Sequence, residues 1–82
     1  MTDKLQQEYR IGVKASELLE NNTFDLAVNN LLQGYFEEFV NADSIDKRNE
    51  VSLKTTCLKG VVGEIEKLIN SGNVAKRKLD KR

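Results

Sequence analysis

Eighty-two residues suffice for one domain and no more, and a chain of that size buries so little of its unfolded surface that stability leans on closely packed helices or on partners. Charged residues make up 32% of the sequence and Pro is absent, which fits uninterrupted helices and argues against a loop-rich or disordered chain. Thirteen basic and thirteen acidic residues balance, there is no His, and Cys57 is the single thiol, so an internal disulfide is excluded and the commonest general base and metal ligand are missing.

From the start of the chain, Asp3 with Gln6 three positions on reads as a helix N-terminus, and Ile11, Ala15, Leu18 and Leu19 recur on one side at helical spacing. This predicts a first helix from Asp3 to Glu20. Gly12 within it costs about 1 kcal/mol relative to Ala, which marks either fraying or close approach to another backbone.

Asn21, Asn22 and Thr23 break the pattern and offer capping side chains, with Asp25 where a helix dipole favours an acid. The second helix that follows carries Phe24, Ala27, Val28, Leu31, Leu32, Tyr35, Phe36, Phe39 and Val40, a broad stripe holding four of the five aromatic residues. It is expected to be the centre of the core. Leu32, Phe36 and Val40 form a second apolar surface that one neighbouring helix cannot cover, which predicts a homo-oligomer with these residues at the interface.

After a break at residues 41–44, Val51, Leu58 and Ile65 fall at seven-residue spacing, with Val61 and Leu68 in the complementary register and Lys54 interrupting it. An antiparallel hairpin with the second helix is expected, ending at Ser71 and Gly72. Val51, Leu53, Thr55 and Cys57 also alternate as a strand would, but no partner strand exists elsewhere. Cys57 beside Leu58 reads as a small buried hydrophobe rather than a nucleophile. The run Gly60-Val61-Val62-Gly63 has the form of the backbone-clamping loop of KH modules; without a sheet it reads instead as a bend or a close approach. The fold class expected is all-α, a helical hairpin or three-helix bundle over residues 1–72, with a basic flexible tail at 73–82 whose alternative is a short basic helix around Val74 and Leu79.

No catalytic, metal or cofactor residues are expected. Glu37, Glu38, Asp43, Asp46 and Glu50 lack the alternate spacing and central glycine of a calcium loop and read as a solvated acidic end eased by Lys47, Arg48 or a basic partner. In the tail, Lys76, Arg77, Lys78, Lys81 and Arg82 face only Asp80, and such a cluster neutralises phosphates without needing a fixed fold. The same charges would serve as a latch onto the acidic end of an adjacent subunit. No apolar run approaches the roughly 18 residues of a membrane span, so no membrane partner and a cytoplasmic location are expected.

Taken together, Ala15, Leu18, Leu19, Phe24 and Ala27 across the first turn, Arg48, Glu50 and Val51 opening the last helix, and Ile69 and Gly72 closing it resemble small helical proteins of the packaging and head genes of tailed bacteriophages, small terminase subunits among them. The similarity spans residues 15–72. It implies a non-catalytic, ring-forming DNA-packaging accessory in the host cytoplasm that engages double-stranded DNA and a separate packaging ATPase. The chain departs from small terminases in lacking a basic recognition helix within residues 1–40, which would leave DNA contact to the tail or to a ring's inner surface. The alternative is a helical protein–protein adaptor with no nucleic-acid role.

Overall fold

The computed structural model describes residues 2–81, and it is all-α: α1 (Thr2–Glu20), α2 (Asn22–Asn41) and α3 (Ile45–Asp80), with no strand among the described residues. Two short helices lie end to end along one long helix. At about 1.5 Å per residue, α3 alone spans about 54 Å, which accounts for the 59 × 24 × 15 Å extents. The chain is therefore a two-armed antiparallel hairpin, one arm continuous and the other jointed.

The joint is a single residue. Asn21 sits in extended backbone (φ −72°, ψ 120°), and its side-chain oxygen accepts from the Phe24 amide at 3.0 Å, capping α2 while its own amide donates to the Leu18 carbonyl at 3.2 Å. Residues 42–44 turn the chain, and Ser44 caps α3 by accepting from the Lys47 amide at 3.2 Å.

The hairpin seam on α3 runs through Val51, Thr55, Leu58, Val62, Ile65, Ile69, Gly72 and Leu79, all buried or half-buried. This corrects the expected register by one residue: Val51, Leu58 and Ile65 are on the seam, but their complement is Thr55, Val62 and Ile69, not Val61 and Leu68. A polar residue fits there because the Thr55 hydroxyl donates to the Val51 carbonyl at 3.1 Å, and Thr56 does the same to Ser52 at 3.0 Å. Lys54 is then free to leave the seam and reach Glu38 across the hairpin at 3.7 Å. The segment Val51–Cys57 is helical, so its alternation is not that of a strand.

On α1 the seam is Leu5, Glu8, Gly12, Ala15 and Leu19. Its closest point is a reciprocal glycine contact: a Cβ built on Gly12 would lie 2.8 Å from the Gly72 Cα and 3.0 Å from the Leu68 carbonyl oxygen, and one built on Gly72 would lie 2.8 Å from the Gly12 Cα. Gly12 thus marks a close approach, and Gly72 is a packing residue, not the expected C-terminal stop. The helix continues to Asp80, burying Ala75, so residues 73–80 belong to the helical body and not to a flexible tail. Gly60 and Gly63 meet nothing within 4 Å and mark no close approach inside the chain.

The expectation that α2 forms the centre of the core is corrected as well. None of its described residues is buried, and the buried apolar residues are Ala15, Val51 and Ala75. Of the residues expected in the core or an interface, Phe24, Tyr35, Leu58 and Ile65 are half-buried and Leu31, Val61 and Leu68 are exposed. Two arms have no third to cover their outer flanks, so side chains beside the seam stay in contact with water.

Candidate interaction surfaces

A rod made of a single hairpin has two broad faces, one on either side of its seam. Seven-residue spacing assigns each side chain to a face, because positions seven apart stack along the rod. On the first face α1 presents Ile11 and Leu18, α2 presents Phe24 and Leu31, and α3 presents Val61 and Leu68. All but the half-buried Phe24 are between 39% and 57% exposed. Cys57 belongs to this face; it is exposed, which corrects its expected burial, and it lines an open groove with Tyr35, Leu53 and Val61.

The opposite face contains the residues expected at an oligomer interface. Leu32 is half-buried, while Phe36 is 63% and Val40 59% exposed. Leu32 and Phe36 line a groove with Phe39, whose α3 wall, outward of Val51 and Thr55 on the seam, is polar: Ser52, Thr56 and Lys59. This face is apolar on one arm only.

The two ends of the rod differ in charge. Lys76, Arg77, Lys78 and Lys81 stand on or just beyond the last turns of α3, while Arg82 lies outside the described residues. The Lys76 ammonium sits 6.0 Å from the centre of the Tyr9 ring, a cation–π distance, and Arg77 donates to the Asn73 carbonyl at 3.5 Å. Because the hairpin lays the start of α1 beside the end of α3, Lys4 belongs to this end of the rod together with Asp3, Glu8 and Asp80, while Arg10 stands on the side of α1 turned away from α3. Sequence reading misses Lys4, since only the fold brings it to the same end of the rod as residues some seventy positions later.

At the other end Glu37, Glu38, Asp43, Asp46 and Glu50 gather around the α2–α3 turn against Lys47 and Arg48. Lys47 pairs with Asp43 at 3.1 Å in the turn, and it is Lys54, not the expected Lys47 or Arg48, that reaches Glu38 near the C-terminal end of α2 at 3.7 Å. Both pairs are about half exposed or more, where such bridges contribute ~0–1 kcal/mol. Among the described residues no group of three or more His, Cys, Asp or Glu side chains is placed to hold a metal ion, and no helix is long and apolar enough to cross a membrane. Comparison with known protein families, curated proteins and solved structures finds no match for this chain.

Proposed function

We propose that this chain is a non-catalytic helical subunit that works by association, and that its first partner is a further copy of itself. Incomplete burial carries this reading: thirteen large apolar side chains are exposed while Ala15, Val51 and Ala75 are the buried apolar residues among those described. The solvent-accessible surface is 6461 Å², against about 5,000 Å² for a compact monomer of this mass. The Cα radius of gyration is 17.5 Å, against about 12 Å. An exposed apolar surface of this extent is the signature of an interface. Sedimentation at micromolar concentration is expected to give a mass above that of the 9.3 kDa monomer; a single monomeric species overturns the reading.

A packaging accessory of small-terminase type, with double-stranded DNA and a packaging ATPase as further partners, is the more specific form of this function, and the basic end favours it. Lys4, Lys76, Arg77, Lys78 and Lys81 lie at one end of the rod without interleaved exposed aromatics, which suits phosphate contact more than base stacking. Removing residues after Gly72 would delete buried Ala75, so the cleaner test replaces Lys76, Arg77, Lys78 and Lys81 by Gln. If the end binds DNA, retention on duplex DNA weakens for all sequences and its log–log salt slope falls by about 0.9 for each phosphate no longer neutralised. Retention that is absent, or indifferent to salt, favours the protein–protein adaptor.

A further inference from the structure

We infer that the second copy docks antiparallel on the face carrying Ile11, Leu18, Leu31, Val61 and Leu68, giving a symmetric four-helix bundle whose two-fold axis passes beside Asn21. The inference rests on the self-association proposed above and specifies its face and symmetry.

Self-complementarity about Asn21 carries it. Lys4 and Glu38, Ile11 and Leu31, and Leu18 and Phe24 stand seventeen, ten and three residues before and after Asn21, each pair on the same face of the jointed arm. A two-fold axis at that joint, perpendicular to the rod, lays each residue of α1 over its counterpart in α2 of the second copy. Leu18 then meets Phe24, Ile11 meets Leu31, and Lys4 meets Glu38, every contact occurring twice as an isologous interface requires.

The same axis suits the long arm. Gly12 packs on Gly72, and Val28 lines a groove with Val62, so the level of Asn21 crosses α3 near Glu66. Rotation about that level lays the stretch from Val61 to Leu68 over residues 65–72 of the second copy and turns the acidic end carrying Glu50 toward its basic end. Glu64 falls beside the axis, where Lys67 at 3.9 Å offsets its charge.

Charge decides the direction. A parallel pairing stacks the basic ends on each other and the acidic ends likewise, whereas the antiparallel one places each basic end over an acidic end. Apolar side chains for such an interface are at hand: Ile11, Leu18, Leu31, Val61 and Leu68 are between 39% and 57% exposed. The face of Leu32, Phe36 and Val40 has no comparable symmetry, because Ser52, Thr56 and Lys59 oppose it on α3.

The test uses the full chain and measures self-association by sedimentation. Wild type is expected to be a dimer. All variants are made on Lys54→Gln, because Lys54 otherwise pairs with Glu38 within the chain at 3.7 Å; on that background Lys4→Glu and Glu38→Lys each weaken dimerisation about tenfold, since each leaves two like-charged contacts, and the doubly swapped chain recovers to within about threefold of the Lys54→Gln chain. A double swap no tighter than the single variants, or a mass above that of a dimer, overturns the inference while leaving association itself standing. A wild-type monomer at every concentration overturns both.

Discussion

Gly12 and Gly72 are the two residues where the absence of a side chain is structural, and substitution there separates propensity from packing. Ala at an ordinary helix position is worth about 1 kcal/mol over Gly. At Gly12 or Gly72, however, the new Cβ meets backbone atoms at 2.8 Å, which cannot rotate away, so α1 and α3 have to separate. Gly12→Ala and Gly72→Ala are expected to destabilise by about 1 to 3 kcal/mol in denaturant unfolding, and Gly60→Ala, facing open space, to stabilise by about 0.5 to 1 kcal/mol. Stabilisation at all three positions would mean that the glycine contact does not set the helix separation. The sequence marks Gly12 as frayed or closely approached without deciding between them, because its partner lies sixty positions away. Cys57 shows the complementary error: its apolar neighbours in sequence suggest burial, yet it stands outside the seam and is exposed.

At the scale of helices, periodicity is legible and phase is not. The helices and the break at Asn21 follow from caps and spacing, but Val61 and Leu68 look more like seam residues than Thr55 because hydrophobicity alone cannot register a hydroxyl satisfied by its own backbone. The aromatic richness of α2 likewise suggests a core, although a helix with one neighbour covers one stripe only. The corrected phase has a measurable consequence. Leu58→Ala, on the seam, is expected to lower stability by about 2 kcal/mol at any protein concentration. Val61→Ala, 57% exposed in the single chain, is expected to change it by less than about 0.5 kcal/mol in dilute solution and by more as association covers the site. Thermal unfolding of both variants at two concentrations reads the difference; equal, concentration-independent losses would place Val61 on the seam after all.

For the whole molecule, a stability linked to association makes the melting temperature depend on concentration. A tenfold increase is expected to raise Tm by about 3 to 6 °C for a chain of this size; a Tm constant over two decades of concentration would mean that the lone hairpin is sufficient. All-α architecture and the opposition of a basic terminal segment to an acidic α2–α3 turn are legible from composition and spacing, whereas the addition of Lys4 to the basic end becomes visible only once the hairpin lays α1 along α3. The reciprocal glycine contact also has a kinetic meaning. The α2–α3 turn closes over a few residues, while Gly12 must wait for Gly72, and at about 5 to 20 residues per second that is a delay of roughly 3 to 12 s during synthesis. Throughout it α1 has no surface to fold against, because a lone helix of 19 residues is marginal in water. The most closely packed contact of the native rod therefore forms late on the ribosome, followed by contacts nearer the chain ends such as Tyr9 with Lys76, and until then the N-terminal segment is open to chaperones, to proteases, or to the matching segment of a neighbouring nascent chain.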